Sequence, residues 1–412
     1  MNVASRAWLV WGLGALSFSY AFFQRVAPSV MVADLMRDFA VGAAVLGNLS
    51  AVYFYVYAGL QIPVGLALDR WGPRRMLSGA ALVAAAGSVV FAAADGIALA
   101  YTGRLLIGIG CAVGFVGALK LATHWFPPER FAFVSGMTML VAMLGAVAGQ
   151  APLALLVDAY GWRVSIYGAA VAATVLACAT WLVVRDRPPG VADPLADERV
   201  SLAAGLIRVF AGWQNWVIAL YAGTMAAPFL SYAGLWGVPH QMQLHGLERY
   251  EAAAVNSLML IGWALGAPAG GWISDRLGRR RMPMAASAAL SLVGWLILLY
   301  TPSLSIFASQ ALLFAIGLSS GAMVICIAAA RERAPASAGG ATTGFVNTAM
   351  VASGALLQPA IGYLLDRNWD GVMLEGARVY SNEAFDVALV TLPICTAAGL
   401  VAALLVPARA QP

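Results

Sequence analysis

Three of the 24 basic residues in this 412-residue chain fall inside long apolar stretches: Arg25, Arg104 and Lys120, the last being the only lysine. An ionised side chain in hydrocarbon is costly, so each is a functional candidate by default. Arg25 stands in Phe22-Phe23-Gln24-Arg25-Val26-Ala27-Pro28-Ser29. A guanidinium is a planar fork that can grip a carboxylate or phosphate with two parallel hydrogen bonds. Arg25, with Gln24 beside it, is therefore the candidate anion ligand; the alternative is snorkelling to the outer surface. Pro28 is expected to loosen the helix here and free a backbone carbonyl toward a cavity. Arg104 lies a few residues inside the outer end of its stretch, and a structural or coupling role outweighs direct contact with substrate. Lys120 lies near the opposite end, where it either snorkels or supplies a second anion contact.

Other polar groups in apolar stretches are weaker candidates. Tyr53 and Tyr57 share a helix face at i and i+4; they either hydrogen-bond a substrate or, the preferred reading, pack against a neighbouring helix. Asn347 and Gln358 are candidates in the second half, and Asn48, Gln61, Gln150, Asn256 and Gln310 are further polar positions. Such residues more often join helices than bind ligands. None of the 19 acidic residues lies in the middle of an apolar stretch; Asp34 and Asp95 approach outer ends. A positive cavity with a negative occupant is expected. His240 and His245 are expected at an outer helix end and His124 at an inner one, all interfacial. Cys111, Cys178, Cys326 and Cys395 read as small apolar fillers. No nucleophile triad, metal-ligand spacing or phosphate loop is present, so the sequence predicts no enzyme, no cofactor and no metal site.

The elements that must position these groups follow from composition. The chain is 61% hydrophobic and 10% charged, against roughly 45–50% and about 25% for soluble domains. So few charges cannot cover a water-facing surface of this size, and disorder needs the opposite balance. The chain reads as an all-α integral membrane protein. Spans of about 20 apolar residues fit twelve segments: 7–32, 46–67, 76–94, 98–122, 131–156, 163–185, 214–239, 251–273, 283–301, 303–329, 340–365 and 385–406. The first is too long for a cleaved signal peptide. The polar stretch 186–212 divides the chain into two six-helix halves, 1–185 and 213–412, and its 201–210 portion is amphipathic enough to lie on a membrane surface.

Arginines crowd the connections on one side, and only Arg37, Arg163, Arg249, Arg367 and Arg378 lie on the other. The positive-inside rule then puts both termini and the linker in the cytoplasm. The net charge of +5 follows from this asymmetry, so no nucleic-acid partner is implied.

The halves repeat. Gly65-Leu66-Ala67-Leu68-Asp69-Arg70-Trp71-Gly72-Pro73-Arg74-Arg75 recurs as Gly271-Trp272-Ile273-Ser274-Asp275-Arg276-Leu277-Gly278-Arg279-Arg280-Arg281, an offset of 206 residues. Gly110 and Gly114 match Gly317 and Gly321 at 207. The first loop resembles the signature loop of the major facilitator superfamily, and Arg104-Leu105-Leu106-Ile107-Gly108-Ile109-Gly110 is similar to its Arg-x3-Gly-x-Gly pattern. The resemblance spans essentially the whole chain. It implies two pseudo-symmetric six-helix bundles around a central cavity, working by alternating access. It also implies a gating set of Gly65, Asp69, Arg70, Gly72, Arg74, Arg75 and Arg104, with Asp275 and Arg276 in the second loop. Gly65 would permit close helix approach, and Asp69 would charge-pair with a helix end of the other bundle. Pro73 departs from the pattern, where a basic residue is usual. Gly145-x3-Gly149-x2-Pro152 reads as a tight-packing face.

A span-1 arginine in this setting resembles those of organic-anion and sugar-acid transporters in the superfamily. The expected function is therefore proton-coupled import of a small carboxylate-bearing metabolite across the inner membrane. The chain is expected to act as a monomer, with lipid and an anionic substrate as its partners. Efflux of drugs or metabolites, amino-acid or dipeptide transport, and a transporter-like sensor are the alternatives.

Overall fold

The computed structural model describes residues 3–188, 210, 212–333 and 339–406. The linker, including the amphipathic stretch expected at 201–210, lies almost entirely outside the described residues. The chain forms two compact units, Met1–Ala192 with Met373–Arg378, and Asp193–Val372 with Val379–Pro412.

In the first unit α1 (Val3–Val26) ends at a 3-10 turn, Ala27–Val30, and short helix α2 (Val32–Phe39) follows. Pro28 accounts for the break, because it has no N–H to continue the α ladder. Next come α3 (Ala43–Ala92), α4 (Ile97–Cys111), α5 (Gly114–Trp125), α6 (Pro128–Ala148) and α7 (Ala151–Val183). Two of these helices bend back on themselves at a glycine: α3 at Gly72 (φ 77°) and α7 at Gly161 (φ 80°). That left-handed backbone is open to glycine without the Cβ penalty other residues meet. α1 packs on α5 and α6, and α3 packs on α4 and α7. A Cβ on Gly145 would collide with the backbone oxygen of Ser19, so α6 crosses α1 at backbone contact. This agrees with tight packing along the Gly145–Gly149 face.

The second unit holds α8 (Trp213–Ser231), a π-helical turn (Tyr232–Trp236), α9 (Gly237–His245), α10 (Arg249–Leu277), α11 (Arg281–Tyr300) and α12 (Ile306–Gly321). A 3-10 turn (Ala322–Val324), α13 (Ile325–Arg331), α14 (Gly339–Arg367), α15 (Asn382–Leu389) and α16 (Thr391–Leu405) complete it. α8 packs on α14 and α16, and α10 on α12. Among the described residues, ten helices are long and apolar enough to cross a membrane.

The fold is all-helical, and a short two-stranded hairpin, β1 (Met373–Leu374) with β2 (Ala377–Arg378), forms in the connection after α14, where Gly376 (φ 85°) turns the chain. The chain breaks between α6 and α7 at Gly149 and Gln150 and leaves Pro152 in the first turn of α7, where its missing N–H costs no bond. The stretch 98–122 is two helices, interrupted at Ala112 and Val113.

Candidate functional site

Arg25 occupies the last turn of α1, just before the 3-10 turn. It is 7% exposed. Four aromatic rings surround its guanidinium: Phe22 at 4.3 Å, Tyr57 at 5.2 Å, Phe54 at 5.6 Å and Tyr53 at 5.7 Å. Its Nε has no hydrogen-bond partner, and no carboxylate pairs with Arg25 among the described residues. Cation–π contacts are worth about 0.5–2 kcal/mol each and do not use the in-plane donors of the guanidinium, from which Tyr57 also takes a hydrogen bond. The arrangement is a buried cation held by ring faces, with its Nε unbonded and no carboxylate on it among the described residues.

Arg104 on α4 is 1% exposed. Its Nη1 donates to the Gln24 carbonyl at 3.0 Å, and its guanidinium lies 5.5 Å from the Tyr53 ring centre. It thus fixes the end of α1 next to Arg25, in agreement with a structural reading. Its Nε and Nη2 are buried without a partner.

The neighbours expected to bind substrate are mostly occupied. Gln24 donates through Nε2 to Tyr20 Oη at 2.6 Å and to Ser88 Oγ at 3.1 Å. Tyr53 donates its hydroxyl to the Ala21 carbonyl at 3.0 Å and stacks on Tyr57 at 5.9 Å. These two tyrosines therefore build the cage wall. The carbonyl that Pro28 leaves without its helical N–H is that of Gln24, and it is not left open: Arg104 Nη1 donates to it at 3.0 Å.

Lys120 has an acidic partner. It forms an ion pair with Asp69 at the bend-side end of the first half of α3, and both side chains are partly exposed. It is therefore not a basic group without an acidic counterpart, and a free second anion contact is not what the structure shows. The same pair gives Asp69 a partner within its own unit. A Cβ on Gly65 would meet no heavy atom within 4 Å, so the expected close helix approach is not seen there.

In the signature loop, the Arg74 backbone N–H donates to Asp186 Oδ1 at 2.7 Å, its Nε donates to the Trp181 carbonyl, and its guanidinium covers the Trp181 ring at 4.5 Å. The Asp186 carboxylate fills the space where a Cβ on Gly72 would stand, a second reason for glycine there. Arg70 lies over the Trp71 ring, and Arg75 is exposed. In the second loop Arg280, not Arg276, carries the network. It bonds Asp275, Ser274 Oγ at 2.9 Å and Glu332 at 2.6 Å, while Arg276 lies over Trp272.

In the second unit Gln358 is fully buried. Its Nε2 donates to Leu230 O at 3.0 Å and its carbonyl accepts from Trp236 Nε1 at 3.0 Å, so it joins α14 to the π turn. Asn347 is half-buried on the same helix. The two are not brought together with any other predicted site residue of that unit.

Sequence reasoning missed a cluster on the π turn. His240, expected at an interface, is 2% exposed. Its Nδ1 is 2.8 Å from Tyr232 Oη, which also accepts from Gln241 Nε2 at 2.8 Å. Trp295 meets the Tyr232 ring edge-on at 5.0 Å. The only available signal was two polar residues, His240 and Gln241, continuing an apolar stretch.

Comparison with known proteins bears on the whole chain. The family model described as Major Facilitator Superfamily matches residues 13–359. A probable sulfoacetate transporter of Cupriavidus necator is 23% identical over 378 residues, covering 87% of each chain. A probable nitrate/nitrite transporter of Mycobacterium tuberculosis is 28% identical, covering 82% of this chain and 81% of that one. Among solved structures, a bacterial homolog of the human lysosomal transporter Spinster superposes with a TM-score of 0.79 at 17% identity, covering 97% of each chain.

Proposed function

The chain belongs to the Major Facilitator Superfamily and is a transporter, not an enzyme; from that premise we propose that it imports a small carboxylate-bearing anion across the inner membrane, coupled to protons. The observation that carries this reading is Arg25, a buried cation with no carboxylate partner among the described residues, its Nε unbonded inside a cage of rings. A buried unpaired charge is unfavourable, and an incoming anion supplies the missing partner. The named substrates of the two relatives, sulfoacetate and nitrate/nitrite, are anions and support the same charge.

In this reading the protein acts as a monomer in lipid with twelve spans. The ten apolar helices are joined by α1, and Gly161 divides the 56-residue stretch Pro128–Val183 into two spans. Both termini are cytoplasmic. The ion pair of Asp69 with Lys120 and the Arg280 bridge between Asp275 and Glu332 serve as loop-bracing contacts that change with gating.

The test is a thermal-shift screen of purified protein against sulfoacetate, nitrate, other organic acids, sugar acids, phosphates, amino acids and dipeptides. Stabilisation by a carboxylate-bearing anion, lost in Arg25→Ala, is the expected result. Stabilisation by lipophilic cations and by no anion would overturn the reading.

A further inference from the structure

The cluster on the π turn is built to change its proton count, and nothing in the anion site uses it. Tyr232 Oη accepts a hydrogen bond from Gln241 Nε2, and its other short contact is His240 Nδ1. A tyrosine hydroxyl has one proton to donate. With Gln241 donating to it, the assignment that uses this proton sends it to His240 Nδ1, the acceptor nitrogen of the Nε2–H tautomer. The neutral chain thus runs Gln241 N–H to Tyr232 O–H to His240 Nδ1. Gln241 Oε1 is buried with no hydrogen-bond partner. An orphaned buried acceptor is unfavourable, and here it has a use.

If His240 takes a proton on Nδ1, that nitrogen becomes a donor to Tyr232 Oη. The tyrosine proton must then turn away and find a new acceptor. A half-turn of the Gln241 amide exchanges its oxygen and nitrogen in nearly the same volume and presents Oε1 to the hydroxyl. The chain then runs His240 N–H to Tyr232 O–H to Gln241 Oε1. The same three side chains accommodate both protonation states by reversing direction. Tyr232 opens the π-helical turn (Tyr232–Trp236), a geometry frequent at functional sites, and His240 and Gln241 follow on α9.

We propose that the Tyr232–His240–Gln241 cluster is the proton-carrying site of the transporter, with His240 Nδ1 taking a proton from water on one side of the membrane and returning it on the other. Only an N–H bond forms and breaks. This inference rests on the proton-coupled reading above and names the group that carries the proton.

The titratable groups around His240 permit the assignment. Tyr232 touches it from the π turn, and His245 lies on the same helix, bonded to Ser309 Oγ at 2.8 Å. Arg249 and Glu251 of α10 and Asp386 of α15 sit at half-buried positions, and Glu383 of α15 is exposed. The ring of Phe385, between the two α15 carboxylates in sequence, faces the imidazole at 5.3 Å. No carboxylate hydrogen-bonds the imidazole among the described residues, and within this cluster the His240 ring nitrogen is the atom that can take up a proton.

The experiment uses full-length protein in proteoliposomes with radiolabelled sulfoacetate and radiolabelled nitrate as probes. His240→Asn and Tyr232→Phe are compared with the wild type in two assays: accumulation driven by a pH gradient, and exchange of probe against the same probe without one. The expected result is exchange within about two-fold of wild type and at least a ten-fold loss of gradient-driven accumulation in His240→Asn. Tyr232→Phe should shift the pH profile while keeping exchange. Gradient-driven accumulation at the wild-type level in His240→Asn overturns the inference; absence of exchange in the wild type with either probe counts against the anion reading instead.

A second measurement needs no substrate and decides if a variant fails to fold. In 15N-histidine spectra of the wild-type chain, which has three histidines, the His240 resonance should show the proton on Nε2 at neutral pH and a second proton on acidification. A His240 that stays singly protonated on acidification, or that carries its neutral proton on Nδ1, overturns the inference.

Discussion

Arg25 and Tyr232 lie 207 residues apart, the offset that relates the two halves. At both places the α-helix gives way, to a 3-10 turn in the first half and to a π turn in the second. The duplicated helices share a break but not its contents. The first half places a guanidinium there, caged by Phe22, Tyr53, Phe54 and Tyr57. The second places a neutral hydrogen-bonded trio, Tyr232, His240 and Gln241. An arginine remains charged at any working pH, whereas a histidine can gain and lose a proton. On the functions proposed above, the comparison describes a division of labour: one half would hold a fixed charge suited to gripping an anion, the other a group suited to carrying a proton.

The largest expected effect comes from removing the fixed charge. Arg25→Ala should cost the hydrogen bonds to a charged partner, about 1.5–3 kcal/mol each, and so weaken anion affinity by about 10- to 100-fold or more, read by thermal shift or binding calorimetry. Arg25→Lys should recover only a small part, because an ammonium lacks the planar fork. Full anion binding by Arg25→Ala would dissolve the contrast between the halves.

The next effect tests the backbone contact that holds the Arg25 helix in place. Gly145→Leu drives a side chain into Ser19 on α1, and overpacking of this kind costs about 1–3 kcal/mol or more. The melting temperature should fall, and Arg25-dependent anion binding should fall with it. An unchanged melting temperature would show that α6 does not position α1.

A smaller, pH-dependent effect lies at Asp38 on α2. Burial pushes its carboxyl up, but hydrogen bonds from Trp162, Arg163 and Arg37 outweigh that and hold it below the usual carboxylate range. A group whose folded value is depressed contributes stability above its unfolded value near 4, and that stability is lost as the pH falls through the folded value. Asp38→Asn should therefore lower the melting temperature at neutral pH and converge with the wild type in acid. A constant gap down to strongly acidic pH would refute the ionic origin.

The smallest effect is expected at the Lys120–Asp69 pair. Both side chains are partly exposed, and pairs of that kind contribute about 0–1 kcal/mol. Lys120→Met should leave the melting temperature nearly unchanged and the affinity for anion within about two-fold. A large loss of affinity would restore Lys120 as an anion contact and weaken the claim that Arg25 is the anion's main partner in the first half.

Much of this was legible in the sequence. Low charge density required membrane helices, the repeated Asp-Arg loops marked two halves, and the rarity of basic residues inside apolar stretches singled out Arg25 and Arg104. Each follows from a local cost that any fold must meet: hydrocarbon tolerates few charges, and a span needs a set length. Partners were not legible. That Lys120 would meet Asp69, that Tyr53 would give its hydroxyl to Ala21, and that His240 would be buried against Tyr232 depend on which helix faces cross. Those crossings are set by close contacts between residues far apart in the chain, such as Gly145 on Ser19. The sequence by itself determined a duplicated membrane transporter with buried positive charge. The tertiary structure alone decided which of those charges stayed unpaired, because pairing depends on distances of a few ångströms that no spacing along the chain specifies.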